Sequence, residues 1–433
     1  RKEKVMKREI NTKQIEQGIT LIALVVTIVV LLILASVTIS LLFSEKGIIT
    51  KAREAAEQTN QATINEQTQL NDATNYIENI LNELSNEDNI PQKPELPQKW
   101  DGKSNETVTA VESEDIIAIT VPIPKGYSAS KVTGENTVEN GFVIYEGEEE
   151  VNDSNKDTAQ TTRNQFVWVP VEKIEEMYGV DNNGKIWGKL YSFSEEGITP
   201  LNWTENGGII RITAEANNRE PDVVTETDTD EALPSYGVGA STQEEFKKQL
   251  ETEFYSMLQS VAKYGGFYIG RYETGNLGQT KALVIKNNTD IRGQTWYNQY
   301  KLSKTLAANN NVTSTMIWGC QWDMTLRWMY NSGDAEKKTY TYDSTNKGNY
   351  VGTNGNRPIA TGSNDSYAVD NIYDMAGNVR DWTIEAYSTK QRVYRGGYCD
   401  KTGDGYPTSS RANDKSSDND SVNGSRASLY INL

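Results

Sequence analysis

The longest apolar run lies near the start of the chain, where Ile19 to Phe43 passes 25 residues without a charge. A helix rising ~1.5 Å per residue would cross a ~30 Å hydrocarbon core over that length with residues to spare. No other segment approaches it, so the pattern predicts a single membrane crossing at 19–43 behind a short basic leader at 1–18. From 44 to 85 the chain turns to Ala, Glu, Gln and Asn, and Ile64, Leu70, Ile77, Ile80 and Leu81 recur at mostly helical spacing without a proline. That thin stripe predicts a helical stalk. Pro91, Pro94 and Pro97 among polar residues then read as a semi-rigid linker over 86–105.

Beyond residue 106 the pattern shortens. Ile116 to Val121, Gly141 to Tyr145, Gln165 to Val171 and Gly265 to Glu273 read as strands. Glu146 to Arg163 reads as a charged loop, and 214–244 as a polar surface excursion. Gln243 to Lys263 places Phe246, Leu250, Phe254, Met257, Leu258 and Val261 along one side of a helix. Thr313 to Tyr330 carries Trp318, Trp322, Leu326 and Met329 at helical spacing, and turns with short strands follow residue 331. The fold class expected is α+β: one long N-terminal helix, then a loop-rich domain over 106–433.

Composition narrows the chemistry. The 433 residues carry a net charge of −17, and the basic residues form no stripe, so nucleic acid is not an expected partner. Histidine is absent, which removes the commonest general base and the commonest transition-metal ligand. The two cysteines, Cys320 and Cys399, fit either one extracellular disulfide or two small buried groups. No CxxC supports a zinc site.

The leader carries Arg1, Lys2, Lys4, Lys7, Arg8 and Lys13 against three glutamates, a flank that stays cytoplasmic by the positive-inside bias. Gln17-Gly18-Ile19-Thr20-Leu21-Ile22 and the following Ala23-Leu24-Val25-Val26 resemble the leader junction of type IV prepilins and pseudopilins. The resemblance implies cleavage between Gly18 and Ile19 by a prepilin peptidase, methylation of the new terminus, and other pilin subunits as partners. The family usually has Glu five residues past the cut, and Ala23 stands there instead. That departure fits a minor or tip subunit, or one that stays in the membrane with its C-terminal domain outside the cell.

The sharpest motif of the remaining chain is Asn371-Ile372-Tyr373-Asp374-Met375-Ala376-Gly377-Asn378-Val379-Arg380-Asp381-Trp382, followed by Arg392-Val393-Tyr394-Arg395-Gly396-Gly397-Tyr398. Gly377-Asn378 is a turn signal, and Gly396-Gly397 implies a close backbone approach or a bulge. With Phe166-Val167-Trp168-Val169-Pro170 and Gly270-Arg271-Tyr272-Glu273, the order resembles the formylglycine-generating enzyme (sulfatase-modifying factor) family, over roughly residues 106–433. The resemblance implies a C-type-lectin-like fold. It also implies oxygen ligands to a structural Ca²⁺, carried here onto Asn378 and Asp381, with Arg380 as a departure. Catalytic members place two cysteines after Arg-Gly-Gly; the corresponding positions hold Lys401 and Tyr406.

Residues 400–425 are small and polar with occasional Tyr and Arg, a composition suited to an adaptable binding surface. The segment also resembles variable lectin-fold domains diversified by retroelements. Candidate binding residues are Asp404, Tyr406, Arg411, Asn413, Asp418 and Asn423. The function expected is a membrane-anchored, pilin-like surface protein displaying a non-catalytic domain toward an extracellular protein or glycan. The alternatives are an oxidase acting on a sulfatase-type substrate and a structural pseudopilin of a secretion or pilus machine.

Overall fold

A computed structural model describes residues 24–32, 96–180, 186–201, 229–276, 279–388 and 391–433. The chain divides into two compact units, Arg1–Glu87 and Asp88–Leu433. In the first unit residues 24–32 are helical and expose all their side chains. Among the described residues no helix is long and apolar enough to cross a membrane. Gly18, Ile19, the rest of the apolar run and the expected stalk lie outside the described residues.

The second unit is mixed α and β. Its main strands, several two-stranded ribbons aside, are β1 (Val108–Glu112), β2 (Thr120–Pro124), β3 (Tyr127–Lys131), β4 (Val143–Glu146), β5 (Val151–Asn152), β6 (Gln165–Pro170), β7 (Gly266–Gly270), β8 (Val312–Met316), β9 (Arg380–Ser388), β10 (Gln391–Arg395), β11 (Arg411–Asp414), β12 (Asn423–Ser425) and β13 (Ala427–Ile431). Its main helices are α1 (Gln243–Tyr264), α2 (Trp296–Ser303), α3 (Gly319–Tyr330) and α4 (Ala335–Tyr342). Seven strands form one sheet in the order β8-β13-β7-β6-β4-β3-β5, and a second sheet runs β11-β10-β9-β12.

The strand period of two explains the core. Along β6, Phe166 and Trp168 enter one apolar cluster with Tyr268 and Leu429. Val167 and Val169 enter the other, with Phe267, Ile269 and Tyr430. The sheet is therefore buried on both faces. One face is covered by α1, whose six predicted apolar positions are all buried. The other receives Val108, Val121 and Ile123 from the β1–β2 hairpin. Helix α1 starts on a capping box between Thr242 and Glu245 and stops at Gly265, which takes the left-handed conformation at φ 81°.

Four expectations need correction. The strand expected from Ile116 begins only at Thr120. The expected loop 146–163 contains β5 and a short helix, Lys156–Thr162. The helix expected from Thr313 is split: Val312–Met316, rich in β-branched residues, pairs with β13, and the helix starts at Gly319. Helix α4 lies where only turns and strands were expected, nucleated by the Asp334 carboxylate accepting from Glu336 N and Lys337 N. The second half of the expected linker packs on the domain, with Trp100 N donating to Lys263 O at 2.7 Å.

Candidate functional site

The four sequence motifs meet in one place. Val167 pairs with Ile269 across β6 and β7. The Arg271 guanidinium ion-pairs with Glu135 at 2.7 Å, both side chains buried. Glu273 accepts from Asn378 Nδ2 at 2.6 Å, Tyr373 N donates to Arg271 O at 2.8 Å, and Gly377 N donates to Gly396 O at 2.8 Å. These are crosslinks between motifs. Their first role is to build the domain.

The turn Gly377-Asn378 holds both residues at positive φ, 73° and 55°. Gly396 and Gly397 also lie at positive φ, and a Cβ on either would come within 2.4 Å of a backbone oxygen, Met375 O and Tyr406 O respectively. Gly396→Ala therefore combines strain with a clash against backbone. Gly352 has φ +87° but open space around it. We expect G352A to cost about 1 kcal/mol and G396A about 3 kcal/mol or more, read from urea midpoints of residues 88–433. Equal losses would show that the close approach at Gly396 is unimportant.

The Gly397 contact brings the backbone of Tyr406 against the motif, and Tyr350 OH fixes it by donating to Tyr406 O at 2.8 Å. A cavity of about 250 Å³ opens there, lined by Arg380, Tyr394, Tyr398, Lys401 and Tyr406. Lys401 and Tyr406 thus face one cavity. The Arg380 guanidinium lies 4.0 Å from the Tyr394 ring centre and 4.8 Å from that of Tyr398, donates to Tyr394 OH at 2.8 Å and pairs with Asp420 at 2.8 Å. The Lys401 ammonium sits 5.3 Å from the Tyr398 ring and 5.5 Å from that of Tyr406. Hydrogen bonding to Tyr398 raises the Lys401 pKa. A second cavity of about 280 Å³, lined by Tyr191, Phe193, Pro407 and Arg411, shares Tyr406 and Ser410 with the first. Tyr406, 40% exposed, lines both.

The predicted binding residues divide on this geometry. Asp404 and Tyr406 are exposed, and Asn413 on β11 and Asp418 are half-buried. Arg411 and Asn423 correct the sequence reading, because both are buried. The Arg411 guanidinium binds Asp323 at 2.7 Å and Glu385 at 2.8 Å, so its charge is neutralised inside. Asn423 accepts from Arg380 Nε and holds that arginine in place. The sequence reading missed Tyr394, Tyr398 and Arg380. Strand alternation was the available signal: with Arg395 turned inward to Asp323, Tyr394 must face the other way.

Cys320 and Cys399 are not joined by a disulfide; both are buried thiols, the second of the two readings the sequence allowed. Burial raises the Cys399 pKa. At the expected Ca²⁺ position, Asn378 Oδ1 accepts from Asn349 Nδ2 and Ile359 N, and Asp381 Oδ2 accepts from Arg426. Among the described residues no three or more Asp, Glu or Cys side chains are arranged to hold a metal ion. A Ca²⁺ at Asn378 and Asp381 would draw its remaining oxygens from backbone and amide carbonyls and from water.

No family model matches the chain, and no curated protein does. Among solved structures, PvdO from Pseudomonas aeruginosa is 14% identical over 39% of this chain and 82% of its own, with a TM-score of 0.29. Treponema denticola variable protein 1 is 16% identical over 41% of this chain and 66% of its own, with a TM-score of 0.21. At these scores neither likeness carries an argument about fold or function.

Proposed function

We propose that this chain is a membrane-anchored, type IV pilin-like surface protein whose C-terminal unit, a lectin-type binding domain, recognises an acidic sugar of an extracellular glycan. The observation that carries the recognition is the cavity in which Lys401 and Arg380 lie against the rings of Tyr394, Tyr398 and Tyr406. Tyrosine rings offer rigid apolar area to a sugar's C–H face, and Lys401 meets its carboxylate, Arg380 being held by Asp420, Asn423 and Tyr394 OH. A volume near 250 Å³ fits a single ring, and the neighbouring cavity that shares Tyr406 gives the next unit a place. The anchor rests on the Gly18-Ile19 junction and the uncharged run after it.

Purified residues 88–433 are expected to bind acidic glycans on an array and by calorimetry, with neutral counterparts weaker. Lys401→Ala and Tyr398→Ala should each weaken binding about tenfold, a loss of ~1.4 kcal/mol, with Tm unchanged. Binding that ignores Lys401→Ala would sink the assignment. Binding to nothing, together with oxidation of a cysteine-containing sulfatase peptide, would favour the oxidase reading. Intact mass of the cell-associated protein tests the anchor: a methylated N-terminus at Ile19 is expected, and an uncleaved leader would leave a plain signal anchor.

A further inference from the structure

The β1–β2 hairpin carries a feature that the ligand cavity does not use. Its last pair is Glu112 opposite Thr120, and the tip between them holds Ile116, Ile117, Ala118 and Ile119. Ile116 is 101% exposed, Ile117 81% and Ile119 43%. Single exposed apolar residues are ordinary on protein surfaces, but three in four consecutive positions form a patch.

The tip is braced. Ser113 N donates to Ile119 O and Ile119 N to Ser113 Oγ, each at 2.9 Å, which closes the turn. Glu114 N donates to Asn136 O at 2.9 Å. The Asp115 carboxylate accepts from Val138 N at 2.7 Å and from Glu139 N at 2.9 Å. Three separate attachments hold the isoleucines outward, while Val121 and Ile123 two and four residues further on enter the core. A preformed apolar knob loses little conformational freedom when a partner covers it.

Charge identifies the partner's chemistry. From Ser104 to Pro124 there are four acidic residues, Glu106, Glu112, Glu114 and Asp115, and no Lys or Arg. An anionic membrane surface would repel this rim, and so would a second copy of a chain whose net charge is −17. We propose that the Ile116–Ile119 tip is a docking knob for another protein that presents an apolar cleft rimmed by Lys and Arg.

The test places the photo-crosslinking residue p-benzoylphenylalanine at Ile117 in the full-length protein, in the cells that make it. The expected result is one discrete protein adduct whose crosslinked peptide is apolar and flanked by basic residues. Its yield should fall at least fivefold when E112K and E114K are added, and likewise in the I116S/I119S background. Those side chains are exposed, so the Tm of the variants should equal that of the parent, which separates lost docking from lost folding. An adduct with lipid or with this chain itself, a yield indifferent to the charge reversal, or no adduct at all would overturn the proposal.

Discussion

Replacing Asp323 with alanine is expected to cost the C-terminal unit about 3–5 kcal/mol, a large part of the ~5–15 kcal/mol that holds a typical domain folded. Asp323 lies on α3 and is fully buried. Its carboxylate pairs with Arg395 at 2.5 Å and Arg411 at 2.7 Å and accepts Tyr191 N at 2.8 Å. Glu385 completes the group by pairing with Arg411, so two acids and two guanidinium groups balance inside the protein. Alanine would leave two arginines facing one carboxylate in a site that excludes water. The loss exceeds what removing a surface pair would bring, because the stranded charges stay buried. Chemical denaturation of D323A against the parent reads it. A loss under 1 kcal/mol would mean that the arginines find other partners or reach solvent. The variant should also lose the glycan binding proposed above, because Arg411 and Tyr191 form part of the second cavity's wall.

This network shows what a sequence conceals in a loop-rich fold. Arg411 and Asn423 lie in a polar stretch that reads as surface, yet both are interior, because their partners Asp323, Glu385 and Arg380 come from elements far away in the chain. Polar composition reports exposure only when burial is dominated by apolar contacts, and here ion pairs share that role. Helix α1 was legible to within a residue, since its apolar stripe, capping box and terminal glycine all agree. Strand β6 was legible because two-sided burial makes it continuously apolar. Ile116 to Ile119 misled: the apolar run was read as the start of a strand, and the fold places it in the hairpin tip, exposed to solvent. Gly377-Asn378 takes the positive φ for which it was read as a turn signal, and of the two readings of Gly396-Gly397, close approach or bulge, the close approach is seen. Sequence could not show that Gly397 packs on the backbone of Tyr406 and so shapes the cavity.

Arg426→Met is expected to destabilise the domain by about 3–5 kcal/mol at pH 7.5 and by distinctly less at pH 5. Arg426 is fully buried; its Nε donates to Asp381 at 3.1 Å, and its other nitrogens donate to Gly270 O and Tyr373 O. Around it lie four buried carboxyl groups, Glu273, Asp290, Asp374 and Asp381, each raised in pKa, with desolvation as the largest cause. Asp374 is pushed up to about 6 and Asp381 to about 7. Among the described residues only Arg426 and Arg292 pair with these four acids, so protons stay on the cluster into the neutral range. Between pH 4 and 7 the native state therefore binds more protons than the unfolded chain, and stability falls as pH rises across that window. The parent's loss should be several kcal/mol. At the acid end the balance reverses. Burial acts to raise the Glu135 pKa, but the Arg271 ion pair and hydrogen bonds from Ser130 and Tyr145 hold it below its ordinary value. Its contribution is present above the unfolded carboxylate range and lost as pH falls below about 4. The Tm of residues 88–433 should therefore peak near pH 4 and fall from pH 5 to 8. In R426M one compensating cation is gone, so further protonation can relieve the cluster at pH 5 but not at pH 7.5, while the two carbonyls stay unpaired at both. A parent Tm that is flat from pH 5 to 8, or an R426M loss equal at the two pH values, would mean that these carboxyl groups are ionised throughout.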